Sequence, residues 1–217
     1  TQVLSSAASD VYKRQAVALA CNQLGYNTSI FVLDSDSIDL ILNDLKAHDF
    51  VFIALHGTFG EDGVIQSILS KNNIPFNGSG EKSSRNCFDK SVTKEIVMNQ
   101  GVLSPKYYQT SSNTCNDHLD FKSEKYVVKP NSQGSSVGFN VIDNFENLND
   151  AIDIALDFDN SVLIEEFIDG REITVPILGN EPLPVIEIEP KSGIYDYKSK
   201  YTACLLYTSD AADDNTC

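Results

Sequence analysis

The stretch Tyr126–Val141 reads YVVKPNSQGSSVGFNV, an apolar run, a polar glycine-bearing loop and a second apolar run. Its GSSVG (residues 134–138) fits G-x-S-x-G, so two folds compete for it. A serine-hydrolase nucleophile elbow needs strand, sharp turn and helix, with a histidine later in the chain. Here the residues after Gly138 continue as the alternating FNVID, which reads as a strand. The histidines are His48, His56 and His118, all upstream of Ser136. The elbow fails on context, leaving strand–loop–strand. Such a loop has a second use, as a cradle for phosphate: Gly134 and Gly138 let backbone approach a ligand, Ser135 and Ser136 offer hydroxyl donors, and Lys129 enters from the preceding strand. It is not a Walker A loop, because it lacks G-x-x-x-x-G-K-[ST] and a following helix. On spacing alone a polar hairpin turn stays the better reading.

Around that hairpin the chain divides into two patterns. AVALACNQLGYN predicts a helix end capped at Gly25, TSIFVLD a strand, SIDLILNDL a helix and DFVFIAL a strand. HGTFGEDG (His56–Gly63) is a glycine-rich loop and VIQSILSKNN a helix. Strands alternating with short helices predict a parallel sheet with ligand loops at the strand C-termini. IPFNGSG reads as an exit near residue 80, and FDKSVTKEIVMNQG as an amphipathic helix closed by Gly101. Beyond it, KYVVKP and SVGFNVID predict strands and NFENLNDAIDIALDF a helix. VLIEEFI, EITVPILG and LPVIEIEP then predict strands in an antiparallel α+β region.

Composition bounds the function. The 217 residues are 41% hydrophobic, enough for packed cores. A net charge of −15 argues against a general nucleic-acid surface. No apolar run approaches membrane-span length and no signal-peptide pattern opens the chain. Five scattered cysteines without a C-x-x-C pair argue against a disulfide framework or zinc site and for a cytoplasmic setting. Residues 1–15 and 204–217 do not continue the neighbouring patterns. SSAASDVYKRQ and LLYTSDAADD resemble translated sequencing-library linker, so both flanks are expected to be foreign or disordered.

Five motifs in register carry more weight than any one of them. VVKPNSQGSSVG, ALHGTFGEDGVIQ, NGSG…DK, LIEEFIDGREITVPILG and EIEPKSGIYDYKSKY together resemble the D-alanine–D-alanine ligases of the ATP-grasp superfamily, over nearly all of residues 16–203. The resemblance implies an α/β protein in which an N-terminal parallel-sheet, Rossmann-like pre-ATP-grasp domain precedes an incomplete α+β ATP-grasp domain. The implied divisions are 16–80 for the substrate-side domain, 81–160 for the central ATP-grasp subdomain and 161–203 for the start of the C-terminal one. It implies ATP-dependent joining of two D-alanines through an acyl phosphate, for peptidoglycan, with Mg²⁺ (or Mn²⁺) and a homodimer in the complete enzyme.

Position by position, the resemblance gives Lys90 and Lys129 to the nucleotide phosphates and Ser135 and Ser136 to the loop over the γ-phosphate. Ser135 also helps hold the first substrate. Glu165 accepts from the adenine amine, the Phe167 and Ile168 backbone meets the ring edge, and Glu172 holds the ribose. His56 and Glu61 line the D-alanine pocket. Tyr197, Lys200 and Tyr201 belong to a closing loop, in which Lys200 touches phosphate and Tyr201 favours peptide over ester formation. Without the family, Lys90 reads as a lysine on a solvated helix face and Glu165 and Glu166 as exposed positions of an edge strand. The family's N-terminal glycine-rich segment with its glutamate, its acidic and asparagine metal ligands and its arginine for the tetrahedral intermediate have no counterpart here. No metal residue is therefore assigned, and the chain alone is expected to be inactive and to fold poorly. Another ATP-grasp carboxylate–amine ligase, or a non-catalytic remnant, are the competing readings.

Overall fold

Periodicity places the first helices on their sheet. The computed structural model describes residues 2–5, 11–33, 38–113, 119–190 and 206–208, which fall into two compact units, Thr1–Leu103 and Ser104–Cys217. In the first unit β1 (Gln2–Ser5) lies between β2 (Ser29–Val32) and β3 (Val51–Ile53), with both pairings parallel. Helix α1 (Val11–Gln23) connects β1 to β2, and α2 (Ile38–Lys46) connects β2 to β3. The expected flank 1–15 thus supplies the middle strand of this sheet and the first residues of a helix.

Helix α1 ends as its sequence predicts. Gly25 takes φ 85°, its N–H bonds Asn22 O, and Tyr26 N–H bonds Cys21 O, the paired bonds of a Schellman cap. Helix α2 sends Ile38, Ile41, Leu42 and Leu45 inward at the i, i+3, i+4, i+7 spacing of an amphipathic helix. They join Leu33, Val51, Leu55 and Phe59, together with Ile65 and Leu69 of α3 (Val64–Lys71). Each such buried aliphatic side chain contributes about 1.5–3 kcal/mol.

The free edge of β3 is closed without another full strand. Phe76 forms a single parallel bridge to Val51, and Val51 N–H bonds Pro75 O. The Asn77 amide then accepts from Ile53 N–H at 2.5 Å and donates to Ile53 O at 3.4 Å. Two helices follow, α4 (Glu81–Phe88) and α5 (Lys90–Met98). Asp89 separates them in extended conformation, and its carboxylate accepts from Val92 N–H at 3.0 Å as the N-cap of α5. Helix α4 is absent from the sequence expectation: EKSSRNCF has no buried side chain, hence no apolar stripe to read.

The second unit is antiparallel throughout its described pairings. Its main sheet runs β4 (Tyr107–Thr110), β7 (Val162–Glu166), β5 (Tyr126–Pro130), β6 (Asn140–Ile142). Helix α6 (Leu148–Leu156) covers one face with Leu148, Ala151, Ile152 and Ala155, again one helical stripe. They pack on Tyr126, Val128, Ile142, Val162 and Ile164, the alternate residues of the strands. A second group follows: β8 (Glu172–Thr174) pairs with β11 (Ile186–Pro190), which pairs with β12 (Leu206–Thr208), while β9 (Ile177–Leu178) and β10 (Glu181–Pro182) form a hairpin.

Three strand expectations are corrected in extent or place. SVGFNVID pairs only from Asn140, because Ser135, Ser136 and Gly138 all have positive φ, which a strand cannot hold. EITVPILG breaks into β8 and β9 around Pro176, which has no N–H for a ladder. The strand VLIEEFI is not an edge but lies between β4 and β5. Among the described residues, no helix is long and apolar enough to cross a membrane.

Candidate active site

Pairing register brings the first two candidate residues together. Val127 lies opposite Glu165 and Lys129 opposite Leu163, so Lys129 and Glu165 are diagonal neighbours on one face. The face opposite carries the α6 core. Lys129 Nζ meets Glu165 Oε2 at 2.6 Å, with the Glu165 side chain 5% exposed. A carboxylate that buried is sustained by a cation. The ammonium has three N–H donors and this bond uses one. Lys129 is one residue from the end of β5, where the chain turns into the loop of the β5–β6 hairpin.

The loop itself is constrained. Ser135 and Ser136 sit at φ 55° and 58°, consecutive left-handed residues that only a well-held turn retains. Val137 N–H bonds Gly134 O at 3.2 Å. Gly138, at φ 66°, has no room for a side chain: a Cβ would lie 2.8 Å from both Phe158 Cδ2 and Pro130 Cγ. After Gly138 the chain enters β6, so the structure has no helix where an elbow requires one.

Further candidate residues follow β7. Phe167 N–H bonds Lys125 O at 3.0 Å, which leaves its carbonyl, not its N–H, as the group that could face a ligand edge. The Lys125 ammonium stands 5.6 Å from the centroid of the Phe167 ring. Ile168 is 60% exposed, and Glu172 is exposed at the head of β8 opposite Ile188. Glu166, read from sequence as an exposed edge residue, instead anchors β4 by accepting from Lys106 N–H at 2.8 Å.

In the first unit the loop Gly57–Gly63 is built from its own residues. Glu61 Oε2 accepts from Gly57 N–H at 2.7 Å, turning the carboxylate into the loop. Asp62 accepts from Phe59 N–H at 2.8 Å and from Val64 N–H at 3.0 Å, which holds the turn and starts α3. Gly60 meets Leu55 so closely that a Cβ would lie 2.5 Å from Leu55 Cβ, and the buried Gln66 donates to Gly60 O at 2.7 Å. His56 enters this loop half-buried, and Lys90 opens α5, also half-buried rather than fully solvated.

Lys129 and Glu165 thus meet in the second unit, which also holds the Ser135–Ser136 loop, whereas His56, Glu61 and Lys90 belong to the first. Tyr197, Lys200 and Tyr201 lie outside the described residues. Sequence reasoning passed over Asp62, Gln66 and Asp159. Asp62 had a local signal in its Asp-Gly turn before a helix, while the roles of Gln66 and Asp159 are set by contacts that adjacent residues do not disclose.

A parallel α/β unit followed by an antiparallel sheet, with a lysine on the strand that enters a glycine-and-serine hairpin loop, defines the ATP-grasp class of fold. Family profiles make the assignment narrower: "D-ala D-ala ligase N-terminus" matches residues 16–79 and "D-ala D-ala ligase C-terminus" matches residues 96–214. The chain belongs to the D-alanine–D-alanine ligase family. It is 42% identical over 192 residues to the D-alanine–D-alanine ligase of Aquifex aeolicus, covering 87% of this chain and 64% of that protein. A crystal structure of the Bacillus anthracis D-alanine–D-alanine ligase superposes with a TM-score of 0.79 at 28% identity, over 95% of this chain and 70% of that one. The same Bacillus anthracis ligase complexed with ATP shares the fold, with a TM-score of 0.75 at 24% identity, over 95% and 68% of the two chains. The chain spans a little under two thirds of the length of the Aquifex relative it matches, 64%.

Proposed function

We propose that this chain carries the nucleotide site and part of the first-substrate site of an ATP-dependent ligase that joins two D-alanines for peptidoglycan. One D-alanine carboxylate attacks the γ-phosphate, giving an acyl phosphate and ADP. The amine of the second then displaces phosphate and forms the peptide bond. The first step brings two anions together, and the second needs a mixed anhydride kept from water. The observation that carries the reading is the Lys129–Glu165 pair near the end of the strand that enters a hairpin loop of left-handed serines.

In this reading Lys129 and Lys90 neutralise phosphate oxygens, and Ser135 and Ser136 cover the γ-phosphate. Glu165 takes the adenine amine, the Phe167 carbonyl and Ile168 backbone take the ring edge, and Glu172 takes the ribose. His56 and Glu61 line the D-alanine pocket; Lys200 is assigned a phosphate contact and Tyr201 the preference for peptide over ester formation. Residues 16–80 form the substrate-side domain, 81–160 the central ATP-grasp subdomain and 161–203 the start of the last one. Among the described residues no group of three or more His, Cys, Asp or Glu is placed to hold a metal; a divalent ion such as Mg²⁺ would need oxygen ligands besides those of the phosphates. We propose that the 217-residue chain binds nucleotide without turning over.

The test is equilibrium binding of the non-hydrolysable analogue AMP-PNP, read as thermal stabilisation, with ADP release on D-alanine addition measured in parallel. Ligand at a hundred times its Kd stabilises by about 2.7 kcal/mol. The expected result is stabilisation of the parent chain, its loss in Lys129→Ala, and no D-alanine-dependent ADP. Absence of stabilisation in the parent overturns the nucleotide site; ADP release that depends on D-alanine overturns the inactivity.

A further inference from the structure

The turn between α6 and β7 holds the hairpin loop from outside. Asn131 N–H bonds Ser161 O at 2.9 Å, Ser132 N–H bonds Asp159 Oδ2 at 2.5 Å, and Gln133 Nε2 donates to Phe158 O at 2.9 Å. Phe158 also fills the space that a side chain on residue 138 would need. Ser161 is in turn fixed to β4, its hydroxyl accepting from Gln109 Nε2 at 2.7 Å. The loop's entry is thus fastened by three bonds and its exit at Gly138 packs close to Phe158, with the serines between. Of these contacts, only the one at Asp159 is made by an ionisable side chain, and a carboxylate on a backbone N–H makes the stronger, charge-assisted kind of hydrogen bond.

A loop that must present donors to phosphate loses affinity in proportion to the freedom it gives up on binding. Fastening its first residues beforehand removes part of that loss. We propose that Asp159 is a positioning residue of the phosphate loop: by holding Ser132 N–H it pre-orders the segment that carries Ser135 and Ser136, and it does not touch the ligand. This rests on the nucleotide reading above. It also makes a prediction of opposite sign to simple electrostatics. Deleting a negative charge near a phosphate site should by itself tighten binding of a polyanion, whereas deleting a loop anchor weakens it.

The experiment compares AMP-PNP with AMP, since the loop serves the terminal phosphates. Asp159→Ala is expected to weaken AMP-PNP roughly five- to tenfold and to change AMP by less than about twofold. Asp159→Asn removes the charge but keeps an acceptor oxygen, and is expected to bind AMP-PNP as well as the parent or better. If Asp159→Ala does not fold, Asp159→Glu takes its place: it keeps the charge but displaces the acceptor, and should show the same AMP-PNP-selective weakening. Unchanged or tighter AMP-PNP binding in the folded Ala (or Glu) variant overturns the proposal, as does equal weakening of AMP and AMP-PNP. Lys129→Ala separates the two levels. Should the parent show no preference for AMP-PNP over AMP, or Lys129→Ala leave that preference intact, the nucleotide reading falls and this proposal with it. A Lys129-dependent preference that ignores Asp159→Ala removes this proposal alone.

Discussion

The loop Gly57–Gly63 is held by its own residues and the start of α3, whereas the loop Asn131–Phe139 is held by a turn that includes Asp159, 27 residues beyond Ser132. In the first, Glu61 and Asp62 bond backbone N–H groups three or four residues upstream. In the second, the serines make the bend but Asp159, Phe158 and Ser161 keep it in place. A loop of the first kind is as stable as its own turn chemistry. One of the second kind is as stable as the packing of the helix and strand that flank its anchor. The first suits a pocket wall with a fixed shape, and the second suits a cover whose order can be tuned from a distance.

Substitutions can break this contrast. The largest effect is expected in the self-contained loop, at Gly63→Ala. Gly63 has φ 91° and a Cβ there would lie 2.6 Å from Glu81 O, a backbone atom that cannot rotate away. Left-handed strain and overpacking add to about 3 kcal/mol, readable as a lower urea midpoint. A midpoint within experimental error of the parent would show that this loop bends as freely as the other.

Next is Lys129→Ala, expected to destabilise by roughly 2 kcal/mol because Glu165 keeps its charge without this partner. The figure is set below that of a wholly buried pair because Lys129 is 23% exposed. The pair Lys129→Met with Glu165→Leu should recover most of the stability and none of the AMP-PNP binding. Recovery of binding would detach the pair from the nucleotide.

Gly138→Ala should cost about 1–2 kcal/mol, and Phe158→Ala in the same chain should relieve part of it, as a double-mutant cycle would report. Additive effects would mean that Phe158 does not hold the loop. Asp62→Ala removes acceptors from two N–H groups and should cost about 1 kcal/mol without altering AMP-PNP binding. The smallest effect concerns Glu81, whose carboxyl is held below the usual range by hydrogen bonds from Ser67 and then Arg85. A depressed folded-state value stabilises above the unfolded-state value and loses that contribution as pH falls through the folded one. Glu81→Gln should therefore flatten the acid limb of stability slightly and leave neutral pH nearly unchanged.

What the sequence disclosed follows the same local-versus-distant divide. Gly25, the α2 and α6 stripes and the loop–helix start at Asp62 depend on residues within one or two turns, and these were legible. The partnership of Lys129 with Glu165 spans 36 residues and two strands, and no spacing rule yields it. Reading β7 as an edge failed for the same cause, since strand order is decided by pairing that the strand's own residues do not encode. Glu165 and Glu166 have polar side chains typical of exposed positions, but one is buried against a lysine and the other ties down β4. The roles proposed for Phe167, Ile168 and Glu172 rest on family resemblance alone, because nothing in their residue types marks a nucleotide.

One small feature bears on how the protein behaves in a crowd of its own copies. An unpaired strand edge invites any extended segment to dock and propagate. At Ile53 both backbone groups are already engaged by the side-chain amide of Asn77, which imitates the peptide group of a neighbouring strand but, unlike one, has no chain on either side to carry the ladder further. Two residues before it, Pro75 has no N–H to offer. Together with the Phe76 bridge and the Pro75 carbonyl on Val51, this side chain leaves the border without a free ladder group at Ile53 or Val51 N–H.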